Sequence, residues 1–291
     1  MSQQAQTLIA IESFIERIRN NQINNDQILR ELQELIPAFH IQFCSNVWYS
    51  QHIQVFKALI HLVESYLQGQ SYDGLDMLLE HQVVTLRQLV QNNYSNVLNE
   101  LHAFQLQELN NQKRLIEYIQ CVLQQKSRSL IVRVDLKYPE PVQDLVNIQL
   151  FDHHMKVLRN RISNGDRCFS DLEGYVWALE QGGYTTGFHC HLMLIYDAHK
   201  HQNDFGLALA VGNYWKEITN GLGSFYTPND PATKARFEEQ GTLALGRIER
   251  ANLQQCQNVV AYVTYFAQPE KYDQRLRVKL RPGSRTFGTG Q

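Results

Sequence analysis

The sequence has few of the features that mark secreted or membrane proteins. It opens MSQQAQTLIAIESF, without a basic segment or a small-residue cleavage site, and no apolar run is long enough to span a bilayer. Its five cysteines are scattered and never spaced Cys-x-x-Cys, which argues against a disulfide framework and against a zinc knuckle. We therefore expect a cytoplasmic protein with reduced thiols and no membrane association.

A surplus of positive charge is also missing from the chain as a whole. The 291 residues include 27 Lys and Arg against 29 Asp and Glu, and the 43% hydrophobic content is typical of a globular protein. Between residues 271 and 291, however, six basic residues face a single acidic residue: Lys271, Arg275, Arg277, Lys279, Arg281 and Arg285. Basic ends of this kind either neutralise DNA phosphates or remain solvated, and the sequence leaves both open.

The first 126 residues carry a helical pattern. Apolar residues recur at helical spacing between residues 9 and 35, and further amphipathic stretches cover residues 53–67, 74–94 and 98–124. We predict an all-α N-terminal domain over residues 1–126. An interaction or oligomerisation module that binds a protein partner is one role for such a domain.

Near Lys126 the pattern changes from helical to alternating. The alternation over residues 129–137 predicts a half-buried strand, with Arg133 and Asp135 on one side and Val132 and Val134 on the other. Helices are expected at 142–162, 204–219 and 253–268, hairpin strands at 174–180 and 188–196, and a short strand at 242–249. This order predicts an α+β domain over residues 127–291, a mostly antiparallel sheet backed by helices.

The predicted hairpin contains a candidate metal site. His189 and His191 are one residue apart on a strand, so both imidazoles project from the same face. Glu180 ends the preceding strand, and antiparallel pairing would bring its carboxylate beside them. Two imidazoles and a carboxylate suit a divalent metal with an open coordination position, which can polarise a phosphate.

Other histidine pairs fit a metal site less well. His199 and His201 have the same spacing but lie in a polar stretch, which we interpret as a solvated loop. His153 and His154 are adjacent on a predicted helix and point about 100° apart. Cys190 lies between the two candidate ligands, and strand alternation turns it away from them, so we expect it in the core.

The last predicted helix carries two tyrosines, Tyr262 and Tyr265. Three residues apart, they share a helix face. A tyrosine can attack a phosphodiester and form a phosphotyrosyl bond, which keeps the bond energy available for rejoining the strand. Tyrosines on a helix ordinarily serve in packing. Here their position in the chain relative to the strands of the candidate metal site favours a role as nucleophile.

The order of these motifs resembles that of the HUH endonucleases that initiate rolling-circle replication. More narrowly, five segments resemble the replication-initiator-like family of filamentous phages and prophages, also called the YagK/YfjJ C-terminal domain family: 133–139 (RVDLKYP), 176–180 (VWALE), 187–192 (GFHCHL), 261–264 (AYVT) and 285–288 (RTFG). The resemblance covers residues 127–291 and implies that Glu180, His189 and His191 bind Mg or Mn, with Zn also accepted, and that Tyr262 is the nucleophile.

The resemblance also implies a function and shows one departure. It implies a DNA nickase that acts on single-stranded DNA or a replication origin and starts phage or plasmid-type replication. The family usually has a lysine three residues after the tyrosine, where this chain has Tyr265. Weak activity, replacement by Lys271 and a two-tyrosine scheme all remain open, as does an alternative function as an inactive DNA-binding regulator.

Overall fold

The computed structural model describes residues 3–182 and 187–291, so most of the connection between the two predicted hairpin strands lies outside the described residues. The helices and strands, in chain order, are α1 (Gln3–Arg19), α2 (Asn25–Gln42), β1 (Trp48–Tyr49), α3 (Gln51–Leu67), α4 (Glu80–Gln125), β2 (Arg128–Lys137), α5 (Ile148–Ser163), β3 (Leu172–Gln181), β4 (Phe188–Asp197), α6 (Asp204–Ile218), β5 (Ser224–Tyr226), α7 (Pro231–Glu239), β6 (Gly246–Glu249), α8 (Leu253–Val263), β7 (Val278–Lys279) and β8 (Phe287–Gly290). Among the described residues, none of the helices combines the length and apolar character needed to cross a bilayer.

The chain forms two compact units. The first, called here the helical unit, consists of Met1–Phe104 and Arg277–Pro282; the second, the sheet unit, consists of Gln105–Leu276 and Gly283–Gln291. In the helical unit, the apolar faces of α1, α2 and α3 bury a core that includes Phe14 and Phe56, whose rings meet edge to face. In the same unit, β1 pairs with β7.

Helix α4 runs without interruption from Glu80 to Gln125, where the sequence predicted two stretches separated by a polar joint. The joint contains asparagine and serine but no glycine or proline, so no residue in it breaks the helical hydrogen bonds. Gly74, the predicted start of the first stretch, lies instead in a preceding 3₁₀ turn. The predicted domain boundary at residues 124–128 corresponds to the end of α4, whereas the two compact units divide after Phe104.

The sheet unit confirms the predicted α+β class. Its strands lie in the order β5, β2, β4, β3, β8, with β6 also paired to β2, and every described pair is antiparallel. The predicted hairpin forms between β3 and β4. Gly187, which immediately precedes the return strand, has a φ of 53°, a conformation that glycine adopts without the strain of a side chain.

The alternating pattern predicted that strand β2 is buried on one face only. In the structure it is buried on both faces. On one face, Ile131 joins a core with Met193, Ile195 and residues of α4 and α8. On the other, the chain beyond β2 places Tyr138 against Phe151 of α5 and Trp215 of α6. Because helices cover both faces, the charged side chain of Arg133 is buried and that of Asp135 is only partly exposed.

Several predicted loops and helix ends differ from the structure. The helix predicted from Val142 begins only at Ile148, because the Asn147 side chain caps it by accepting from the Leu150 N–H, and a 3₁₀ turn precedes it. The segment 220–241, for which no helix or strand was predicted, contains β5 and α7. The strand predicted from Thr242 starts at Gly246, and the last helix ends at Val263, so Tyr265 lies in a 3₁₀ turn after α8.

Strand β8 near the C-terminus was not predicted. It contains the end of the segment 285–288, one of the five that resemble the family, and gives that segment a structural role. It pairs with β3, where Gly288 lies opposite Trp177. A Cβ at position 288 would come within 2.6 Å of the Trp177 ring, so only glycine fits there. The segment thus closes the edge of the sheet next to the strand that carries Glu180.

Candidate metal centre

The strand register brings the predicted metal ligands together. Glu180 of β3 lies directly opposite His189 of β4, and His191 lies in the next row on the same face. On the other side of β4, Asp135 of β2 is opposite His191. Residues opposite one another in an antiparallel pair project from the same face, so these four side chains converge on one side of the sheet.

Glu180, His189 and His191 form a buried group whose ligand atoms all lie within 4.8 Å of one another. The Nε2 atoms of both histidines are 3.2 Å from the same carboxylate oxygen, Oε2 of Glu180. A divalent ion about 2.0–2.2 Å from each donor would hold such atoms about 3 Å apart. It is the one group of this kind in the part of the chain that the structure describes, and it can hold a metal.

The remaining imidazole nitrogens are occupied in a way that leaves both Nε2 atoms available. Nδ1 of His189 is 3.2 Å from the Gly187 carbonyl oxygen, and Nδ1 of His191 is 2.8 Å from Oδ1 of Asp135. Both of these partners are acceptors. With a metal bound, each Nδ1 would keep its proton for its acceptor, and each Nε2 would offer its lone pair to the ion in place of its hydrogen bond to Glu180.

The pKa values follow from this arrangement. Burial raises the pKa of Glu180, but hydrogen bonds from His189 and His191 and the charge of Lys271 outweigh it and hold the pKa well below its usual range. Burial likewise opposes ionisation of Asp135, yet His191 and Arg133 lower its pKa to about 2. For His191, burial lowers the pKa, and the two carboxylates outweigh burial and raise it. Both carboxylates are therefore ionised at neutral pH.

Arg133 connects the metal ligands to the tyrosines. Its guanidinium donates to both oxygens of Asp135, at 3.0 and 3.2 Å, and its Nη1 donates to the Tyr262 hydroxyl at 2.9 Å. The contacts thus run from Tyr262 through Arg133 and Asp135 to His191. Arg133 is 9% exposed, and a buried cation of this kind is tolerated because each of its partners is in place.

The two candidate tyrosines have different surroundings. Tyr262 is half-buried, its ring packs near Phe237, and burial raises the pKa of its phenol while the charge of Arg133 opposes the rise. Tyr265 is 39% exposed and its ring meets His191 edge to face, with centroids 5.7 Å apart. Both rings lie within about 5.5 Å of the Arg133 guanidinium, so both border the metal ligands.

Lys271 reaches the centre from the segment after α8. Its Nζ donates to Oε1 of Glu180 at 2.7 Å and lies 3.4 Å from the centre of the Tyr265 ring. The ammonium therefore binds the oxygen of Glu180 that does not face the imidazoles. Of the alternatives left open by the missing lysine at position 265, the position of Lys271 favours replacement.

The six basic residues predicted as a DNA-binding tail do not form a free tail. Arg275 is buried, and its guanidinium stacks on Tyr272 at 3.6 Å. Arg277 is buried in the helical unit and donates to Glu12 at 2.7 Å, while Lys279 lies over the Trp48 ring. Arg281 and Arg285 are exposed. Burial makes Arg275 and Arg277 unsuitable as phosphate contacts, which the charge pattern alone could not reveal.

The competing residues have other roles in the structure. His154 is buried and hydrogen-bonded to the Tyr138 hydroxyl at 2.8 Å, and His153 is its neighbour on α5. His199 is exposed, whereas His201 packs against Tyr196 and is only half-exposed rather than solvated. Cys190 is buried on the face opposite the metal ligands, as strand alternation predicted.

The sequence interpretation gave no role to Arg133 and Asp135. A signal was present, because two charged residues alternated with valines on the first strand predicted for the α+β domain. On a half-buried strand such residues are expected to face solvent, so the charges did not indicate a site. Their partners come from β4 and α8, which are distant in sequence.

Comparison with known proteins identifies the family of the chain. No curated protein and no solved structure matches it. The sequence model of one family, described as the YagK/YfjJ C-terminal domain, matches residues 90–290, which include the metal ligands, both tyrosines and Lys271. This match covers more than half of the 291 residues. The chain therefore belongs to the YagK/YfjJ C-terminal domain family.

Proposed function

We propose that this protein is a metal-dependent nickase of the HUH type that cuts and rejoins single-stranded DNA through Tyr262, at the start of phage or plasmid-type replication. One observation carries the proposal: the unbroken contacts from the Tyr262 hydroxyl through Arg133 and Asp135 to the metal ligand His191. A tyrosine that only packs in a core does not need a buried guanidinium at its hydroxyl. One that becomes a phenolate does.

The ligand atoms of the site limit which metal ions it can bind. Two imidazoles and one carboxylate accept Mg, Mn and Zn, and we propose Mg or Mn as the ion in use. When bound, such an ion supplies Lewis-acid polarisation of a phosphate oxygen. Glu180, His189 and His191 would hold it, and Asp135 fixes the His191 imidazole with Nε2 directed inward.

The side chains then have distinct roles in strand cleavage. Arg133 stabilises the phenolate of Tyr262 by hydrogen bonding and charge. The Tyr262 phenol gives up its proton to solvent, its oxygen forms a bond to phosphorus as the bond from phosphorus to one sugar oxygen breaks, and that sugar oxygen takes up a proton from solvent. The phosphotyrosyl bond keeps the energy of the phosphodiester, so attack by a sugar hydroxyl reverses the step and rejoins the strand.

Lys271 has a supporting role in this scheme. Its ammonium offsets the charge of Glu180 from the side away from the imidazoles. We assign to it the part that a lysine at position 265 would otherwise take. Tyr265, with its ring between Lys271 and His191, then fills space beside the metal and is not the nucleophile.

The test is covalent trapping. Labelled single-stranded oligonucleotides, including origin sequences, are incubated with the full chain and Mn, and a denaturing gel shows any protein–DNA adduct. Wild type and Tyr265→Phe should form the adduct, and Tyr262→Phe should not. An adduct that persists in Tyr262→Phe but is lost in Tyr265→Phe would move the nucleophile.

Failure of the test has a defined meaning. If no oligonucleotide gives an adduct with the wild type, the nickase proposal is wrong. Oligonucleotide binding without an adduct would favour the inactive DNA-binding regulator, for which the lysine missing from position 265 is the motivation.

A further inference from the structure

The exposed aromatic side chains of the sheet unit are concentrated at the metal centre. Among its described residues, Tyr226 and Tyr265 are the large aromatic side chains that are exposed, and both border the site. Tyr265 is already engaged, because Lys271 covers its ring and His191 meets its edge. Tyr226 is 49% exposed, and within the described residues its ring and hydroxyl have no partner.

The strand register places Tyr226 beside the metal ligands. It lies directly opposite Asp135 in the pairing of β2 with β5, so its side chain projects from the face that carries Asp135 and His191. Its phenol is also near enough to Tyr262 to contribute to that residue's raised pKa. Tyr226 therefore borders both the metal ligands and the proposed nucleophile.

The backbone around Tyr226 is anchored on both sides. Phe225 projects to the opposite face and packs against Gly212 of α6, where any Cβ would clash with its ring at 2.3 Å. Thr227 donates its hydroxyl to the Arg133 carbonyl at 2.8 Å. A strand anchored on both sides thus presents an uncovered aromatic ring, which lowers the entropic cost of binding a flat ligand against it.

A cation accompanies the exposed ring. Lys137 lies two residues after Asp135 on β2, so alternation puts it on the same face, and it is opposite Ser224 in the β5 pairing. Its side chain is half-exposed, and among the described residues its ammonium has no ion-pair partner. An aromatic face with a nearby unpaired cation is the combination that binds a base and a phosphate of single-stranded nucleic acid.

We propose that Tyr226 is a base-stacking subsite that holds a nucleotide of single-stranded DNA beside the metal centre, with Lys137 contacting a phosphate of the same strand. This inference rests on the proposed function for its ligand, but it concerns binding and not cleavage. The stacking is expected to tolerate different bases, since each base offers a flat face.

The experiment measures binding with cleavage switched off. Affinity of the full chain for fluorescein-labelled (dT)20 is followed by anisotropy in EDTA, and a second oligonucleotide with 2-aminopurine reports stacking by quenching. Tyr226→Ala should weaken binding about tenfold and abolish the quenching, whereas Tyr226→Trp and Tyr226→Phe should retain both. Lys137→Gln should reduce the slope of log affinity against log salt by about one.

Leu209→Ala is the matched control, since Leu209 is an exposed apolar residue on α6, at the opposite face of the sheet, and should bind like wild type. Unchanged melting temperature and Mn binding show that the variants fold.

If Tyr226→Ala binds (dT)20 and quenches 2-aminopurine fluorescence like wild type, the inference is wrong even when the adduct forms. If binding falls as expected but wild type gives no adduct, the stacking subsite stands and the nickase proposal fails. If wild type binds neither oligonucleotide, the stacking inference is overturned, and the covalent-trapping test decides the nickase proposal separately.

Discussion

On one face of the central sheet, His154 of α5 is buried with a single neutral partner, the Tyr138 hydroxyl, and burial lowers its pKa. On the other face, His191 is buried between two carboxylates, and its pKa is raised. Both histidines are less than 10% exposed. The first is an ordinary core residue satisfied by one hydrogen bond, while the second belongs to a network that needs several charged partners in place.

The same difference holds for the charged residues on the two faces of the sheet. The face covered by α5 and α6 includes Phe151 and Trp215, which stabilise the fold by burial. The opposite face carries Arg133, Asp135 and Glu180, whose desolvation is costly unless each is paired. A fold does not need such a network of paired buried charges for its stability. Its concentration on one face of the sheet therefore indicates a functional site on that face.

The largest expected effect separates the two faces directly. His189→Ala removes a ligand and leaves Glu180 and His191 unable to complete the site, so Mn binding should fall below detection by calorimetry. Adduct formation should be lost as well, as it is in EDTA.

The corresponding change on the other face is the control. His154→Ala should leave Mn affinity unchanged and lower the free energy of unfolding by about 1–3 kcal/mol, because Tyr138 loses its buried partner. Loss of metal binding in His154→Ala would erase the proposed distinction between the faces.

Arg133→Gln should give the next largest effect. It removes the charge and the donor at the Tyr262 hydroxyl, so the rate of adduct formation should fall about 100-fold. The pH profile of that rate should move to higher pH, because the Tyr262 phenolate loses its stabilising cation. Arg133→Lys should restore part of the rate. Arg159→Gln is the matched control: Arg159 stacks on Trp177 at the α5 face, and its loss should leave rate and profile unchanged.

Asp135→Asn should have a smaller effect on the metal. The amide oxygen can still accept from His191, but it lacks the charge that makes the imidazole a better ligand. Mn affinity should fall about 10-fold, measured by calorimetry. Affinity equal to that of wild type would mean that Asp135 serves Arg133 alone.

The smallest effect is the pH dependence of metal binding. The raised pKa of His191 means that the metal-free protein holds a proton there above the ordinary value of 6.5, and a metal must displace it. Mn affinity should therefore rise between about pH 6 and about pH 8. In EDTA, the stabilisation from His191 is fully present below its unfolded-state pKa and is lost as pH rises through the raised folded-state pKa. An affinity independent of pH in this range would contradict the assignment.

Much of the site was predictable, because its pieces have local signals. Spacing by one residue on a strand put His189 and His191 on the same face, and hairpin pairing put Glu180 opposite them. Arg133 and Tyr226 were given no role in the predicted site, because the contacts that bring them to it join elements distant in sequence. The six basic residues near the C-terminus were predicted as one group, and the structure separates them according to burial.

The sequence by itself determined the helical character of residues 3–125, the α+β class and the grouping of Glu180, His189 and His191 on one face, because periodicity and strand alternation depend on near neighbours. Only the tertiary structure decided that β2 is buried on both faces, that Lys271 reaches Glu180 and that Arg133 joins Tyr262 to Asp135. These contacts join residues up to 129 positions apart. Whether a charged side chain meets water or a partner depends on which elements pack against it, and that is set by the fold.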